Sequence, residues 1–138
     1  MLGLQIPKKL SGSLLKNVVD KSNALLYHGP MNLKNLRLLA VVRDDLPPNH
    51  VALTLFHAGL SVYLKWKENP EHAPIVDLWV THSFKKVIRK ANATQFEQAK
   101  KEHPHIVMTE SSLEGKETAL IFVPSDDYPK FLNYLPKY

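Results

Sequence analysis

The stretch Leu36 to Val42 constrains this chain more than any other. It reads Leu-Arg-Leu-Leu-Ala-Val-Val, nearly continuous in apolar residues and β-branched at its end. Side chains alternate across a strand, so an unbroken apolar run puts apolar groups on both faces of its sheet. Such a strand needs cover above and below. A chain of 138 residues has the usual size of one domain. At that length roughly two-thirds of the unfolded surface is buried, so no metal or disulfide is required for stability. The chain has no cysteine, which excludes disulfides, thiolate nucleophiles and cysteine-based zinc sites.

The remaining elements follow from periodicity and from chain breakers. Asp44-Asp45-Leu46-Pro47-Pro48 ends the first strand, and Asn49 is placed to cap a helix running to about Lys67. Asn69-Pro70 stops that helix, and a polar loop is expected as far as Pro74. Phe84 to Lys90 reads as a second strand centred on Val87 and Ile88. Asn92 or Thr94 opens a short helix through Phe96 and Ala99. His105 to Thr109 and Thr118 to Val123 read as two further strands. Pro124-Ser125-Asp126 starts a last helix, with Tyr128, Phe131, Leu132 and Leu135 at helical spacing. Strands alternating with helices predict an α/β fold, with three layers, α/β/α, around a mostly parallel mixed sheet of about four strands.

Upstream, Leu14, Leu15, Val18, Val19, Leu25 and Leu26 fall within an arc of about 140° on a helical wheel. Ser11 or Ser13 can cap this helix, and Gly29-Pro30 ends it. Residues 1–34 therefore read as an amphipathic helical extension, and residues 35–138 as the domain proper. The extension packs on its own domain or on a partner, and a homodimer is one option. Met1 to Leu10 shows neither the apolar run of a signal peptide nor the arginines of a transit peptide, and no stretch approaches a membrane span. The expectation is a cytoplasmic protein that does not engage membranes.

The helix from Asn49 to Lys67 is apolar nearly all round, which predicts burial on every side. Ala52, Leu53, Phe56, Leu60, Tyr63 and Leu64 cover one broad side; Val51, Leu55, Ala58, Gly59 and Val62 cover most of the other. His50, Thr54, His57 and Ser61 share a sector of about 60° between them. Hydrogen-bonding groups on a buried helix must find partners. Those partners are loops and the sheet edge, or else the line faces a cleft at the carboxyl ends of the strands. Open α/β sheets bind ligands at that end, and histidine there can move protons near neutral pH.

Leu39-Ala40-Val41-Val42-Arg43-Asp44-Asp45-Leu46, followed by Val51-Ala52-Leu53-Thr54-Leu55-Phe56-His57-Ala58, resembles the opening of the type 2 peptidyl-tRNA hydrolases. That family has a buried strand ending in Val-Val-Arg-x-Asp-Leu and then a helix beginning Lys-Val-Ala-Ala-Gln-x-x-His-Ala. Trp79 ahead of Lys85-Lys86-Val87 is similar to the family's Trp and Lys-Val-Val strand. Thr118 to Pro124 resembles its last strand, which starts with Thr and ends with Pro. The likeness spans residues 35–138. It implies a small mixed sheet with helices on both faces, and hydrolysis of the ester joining a peptide to tRNA without metal or cofactor.

Carried over position by position, the resemblance implies catalytic roles for His57, His50, Glu110 and Thr118. His57 matches the family's His, and Thr118 matches the Thr that opens the last strand. His50 stands where the family has Lys, Thr54 where it has Gln, and Glu110 near its late Asp. His57 and His50 would orient or activate water and Glu110 would polarise it. Thr54 and Thr118 would hydrogen-bond the substrate, with Ser61 on the same polar line. Lys85, Lys86 and Arg89, with Lys90, Lys100 and Lys101 nearby, would track tRNA phosphates or form a solvated face. A formal charge of +5 suits a tRNA partner. Two readings stay open beside the esterase: a catalytically silent relative that binds RNA or protein, and a hydrolase of another small ester or amide. His103-Pro104-His105 lacks a third ligand at recognisable spacing, so no metal is expected there. Trp66 and Trp79 are candidates for base stacking or for the core.

Overall fold

The structure is a computed structural model, and it describes residues 31–138. Arg37–Arg43 is strand β1, followed by helices α1 (Pro48–Lys67) and α2 (Ala73–His82), strand β2 (Lys85–Ala91) and helix α3 (Ala93–Ala99). Strands β3 (His105–Glu110) and β4 (Lys116–Ser125) come next, and helix α4 (Lys130–Tyr134) is last. The helix expected over residues 14–26 lies outside the described residues.

The four strands form one mixed sheet in the order β2-β1-β4-β3. β1 runs parallel to β2 and antiparallel to β4, and β3 is antiparallel to β4. The expectation of a mostly parallel sheet is thus corrected: one of the pairings is parallel. Two helices separate β1 from β2 and give the chain room to cross over. Between β3 and β4 there is only a short turn, in which Glu114 and Gly115 take positive φ values of 58° and 76°. A turn that short can only join antiparallel neighbours.

The two-faced burial read from Leu36 to Val42 is present residue by residue. Ala40 and Val42 join Ala119, Ile121 and Val123 beneath α1 and α2. Leu39 and Val41 join Leu120 and Phe122 on the opposite face, against Phe96 and Ala99 of α3 and Leu132 of α4. Met31 and Leu33 pack against the α1/α2 side, so residues 31–34, expected in the extension, belong to the folded body.

Local departures from the sequence reading have identifiable causes. The polar loop expected as far as Pro74 stops at His72, and helix α2, for which the sequence reading named no element, follows at once. Pro74 lies in its first turn, where a missing N–H breaks no helical bond. Asn49 is not a cap. Pro47 holds that place without a side-chain bond, and its carbonyl accepts from both His50 N and Val51 N. Asn92 does cap α3, in a reciprocal box with Gln95. α4 starts only after Pro129, because Tyr128 is drawn into the core instead. The C-terminal tail lies along the outer edge of β2, with Lys90 N donating to Pro136 O and Tyr138 N to Ile88 O. That covers part of an edge which would otherwise be open.

α1 also corrects an expectation. Val51, Thr54, Ala58, Val62 and Trp66 are buried, whereas Leu53, Phe56, Leu60 and Leu64 are exposed. The sheet covers one side of this helix, and no described residue covers the other. No helix among the described residues is long and apolar enough to cross a membrane.

Two buried polar groups tie β4 to its surroundings. The Tyr128 hydroxyl lies 2.8 Å from Arg37 O and 2.9 Å from Val123 O, able to donate to either. Tyr128→Phe should lower stability by about 1 kcal/mol, read as a shift in urea midpoint at unchanged slope. His103 Nε2 lies 3.1 Å from Val123 O, and burial pushes the imidazole pKa down to about 4. The unfolded chain takes up that proton near pH 6.5. Between these values the unfolded state holds more protons, so stability falls as pH drops. This one group should remove roughly 3 kcal/mol by pH 4. His103→Gln keeps a donor for Val123 O and should flatten the stability–pH curve in that window.

Candidate functional site

The first half of α1 leaves the carboxyl end of β1 and crosses beside the end of β3 and the start of β4. His50, Thr54, His57 and Ser61 run along the border between its core face and its solvent face. Thr54 is buried, His50 is half-buried, and His57 and Ser61 are exposed. Thr54 Oγ1 and His50 Nδ1 are buried and have no hydrogen-bond partner in the protein. An unpaired buried polar group costs about 1–3 kcal/mol, and here two lie one helical turn apart.

Glu110 ends β3, opposite Lys116 of β4. Its Oε1 accepts from the backbone N and from the Oγ of Ser112, both at 3.1 Å. Those bonds hold the carboxyl below its usual pKa, and the neighbouring His57 and His50 add to the effect. Glu110 is therefore a fixed anion at neutral pH and cannot serve as a proton donor. The fold does bring His50, Thr54, His57 and Glu110 to one end of the sheet.

Thr118 is fully buried on β4. The register between β3 and β4 slips between Met108 and Thr109, and Thr118 is the extra residue. Its Oγ1 donates to Met108 O at 3.3 Å, so the hydroxyl proton is committed to a carbonyl of the irregular strand pair.

Sequence reasoning missed the closure beneath α1. Asp45 Oδ2 accepts from Arg43 Nη2 and from Lys116 Nζ, each at 2.9 Å. The Lys116 bond, then the Arg43 charge, hold the Asp45 carboxyl below its usual range against the opposing effect of burial. These groups are partly exposed, so each pair is worth at most about 1 kcal/mol. Their effect is positional: they fasten the loop that launches α1 to the start of β4. Arg43-Asp44-Asp45 was visible in the sequence, but nothing there marks Lys116 as its partner.

The basic strand lies elsewhere. Lys85 and Lys86 pair with Arg37 and Leu38 at the start of β1, the far end from His50. Lys86 Nζ sits 3.3 Å from the centre of the Phe84 ring, and Arg89 Nη1 donates to Leu135 O at 2.6 Å. Trp79 is buried and donates to Lys85 O; Trp66 is buried at the end of α1. Neither indole offers an open stacking face. His103 and His105 line a shallow groove of about 470 Å³ with Trp66 and His72, at the opposite end of α1 from His50. Among the described residues no group of three or more His, Asp or Glu side chains is placed to hold a metal.

With this geometry in hand, comparison finds no protein-family model and no curated protein that matches the chain.

Thr54→Val separates a structural from a functional role. Exchanging an unpaired buried hydroxyl for a methyl should leave stability unchanged or raise it by up to about 1 kcal/mol, seen as a higher thermal midpoint. A fall in stability would mean that the hydroxyl has a structural partner.

Proposed function

We propose that this chain is a metal-independent ester hydrolase of the peptidyl-tRNA hydrolase kind, acting on the ester between a peptide and the terminal ribose of tRNA. One observation carries the reading: α1 packs along β3 so that His50, Thr54 and His57 share one end of the sheet with Glu110, whose carboxyl is fixed by Ser112. A fixed carboxylate beside an imidazole stabilises the imidazolium formed when the ring accepts a proton. In the proposed reaction His57 takes a proton from water, and the water oxygen bonds to the acyl carbon. The ester C–O bond then breaks, and the proton passes to the ribose oxygen. His50, half-buried on the same line, would hydrogen-bond the acyl oxygen as charge develops on it, with the buried Thr54 hydroxyl behind it.

Other features support the same reading. The order of elements, the mixed sheet and the helices against both faces suit the three-layer arrangement of that family. A formal charge of +5 favours a polyanionic substrate, and the basic edge strand β2 would meet phosphates remote from the reacting ester. A second reading, a binding module without catalysis, is favoured by one observation: the proton of Thr118 is already committed to Met108 O.

Single-turnover hydrolysis of peptidyl-tRNA by the full chain and by His57→Ala decides between them. The esterase reading expects cleavage by the parent chain, insensitive to a chelator, and a loss of about 10²–10⁴-fold in the variant. Folded parent protein that binds tRNA without cleaving it would establish the binding module instead.

A further inference from the structure

α1 carries two apolar stripes. Val51, Ala58, Val62 and Trp66 face the core. Leu53, Phe56, Leu60 and Leu64 lie about 170° round the helix, within an arc of about 80°. Their exposures are 42%, 78%, 62% and 54%. One exposed leucine is ordinary, but a continuous row along a helix marks a contact surface. Gly59 lies between the two stripes, and a side-chain carbon built on it would meet nothing within 4 Å. That leaves space for another backbone to approach.

We propose that residues 14–26 of the same chain dock on this row as an amphipathic helix. Their apolar residues Leu14, Leu15, Val18, Val19, Leu25 and Leu26 share one arc of about 140°. At 1.5 Å per residue, Leu14 to Leu26 spans about 18 Å and Leu53 to Leu64 about 17 Å, so the stripes match in length. The point of attachment fits as well. The folded body begins with Met31, and Met31 and Leu33 pack on the α1/α2 side of the sheet. The chain therefore enters the body in the layer that bears the row. Residues 27–30 add up to about 13 Å of reach between Leu26 and Met31.

A second copy of the chain is a poorer occupant. Each copy has a formal charge of +5, so two copies repel, while a segment on a short tether competes at an effective concentration in about the millimolar range. His57 adjoins Leu60 and Leu64 on the wheel, so the docked helix would form a wall beside it.

The chain has no cysteine, which makes the test clean. Val18→Cys is combined in the full chain with Phe56→Cys, Leu60→Cys or Leu64→Cys and oxidised at micromolar protein. The proposal expects at least one pairing to close within a single chain, with a yield that dilution does not change. Disulfides formed only between chains would overturn it and assign the row to a second copy. Hydrogen exchange gives an independent readout. Amides of residues 14–26 should be protected in the parent chain and lose at least tenfold in protection in the Phe56→Asp, Leu60→Asp double variant. Both of those positions are exposed, so the fold should tolerate the change. Amides that exchange freely in the parent, or equally in both proteins, would overturn the proposal.

Discussion

β1 and β4 lie side by side at the centre of the sheet, and their side chains are buried on both faces. Leu39, Val41, Leu120 and Phe122 point one way, and Ala40, Val42, Ala119, Ile121 and Val123 the other. At about 25 cal/mol per Å² of apolar surface, this pair is worth burying only if both faces are covered at once. α1 and α2 close one face, and α3 and α4 close the other. The smaller features serve the same pair. Tyr128 and His103 both bring polar atoms to Val123 O, close to the register shift near the end of β4. Asp45 fastens the loop after β1 to the residue that opens β4.

The candidate site is a by-product of that arrangement. α1 must start where β1 ends, so its first turns pass the end of β3, where the hairpin to β4 begins. That route sets the histidine line beside Glu110. The same route fixes which side of α1 is buried. One side meets the sheet, and a helix resting on a sheet leaves its opposite side open. The polar line sits on the border between the two, half in the core and half in solvent. This gives Thr54 a buried hydroxyl and His57 an exposed ring within one turn of each other. A border of this kind suits a group that must be held firmly and still reach a ligand.

Much of the fold was legible because it rests on local patterns. The run from Leu36 to Val42 announced a strand covered on both faces. Asn92, one of two candidates with Thr94, marked the start of α3, and Asn69-Pro70 the end of α1. The parts that were not legible depend on competition between distant groups. α2 was hidden because Pro74 reads as a breaker unless it is known to occupy a first turn. α4 starts late because Tyr128 gains more from the core than from helical hydrogen bonds. Of the site, the line from His50 to Ser61 was readable from helical periodicity. The nearness of Glu110 entered only through a family resemblance, and the Asp45–Lys116 pair through nothing in the sequence. The remoteness of Lys85 and Lys86 required knowing that β2 pairs parallel with β1, so that their end of the strand lies far from α1's first turn.

The sequence by itself determined where the four strands and the helices α1 and α3 form, because apolar period and chain breakers act over a few residues. It also determined that the central strand is covered twice and that α1 carries a line of polar groups. Only the tertiary structure decided strand order and direction, because these turn on which apolar faces meet and on how much chain lies between them. It alone decided that α1 buries one apolar stripe and exposes the other. Both stripes look alike in the sequence; what distinguishes them is the sheet, which lies against only one.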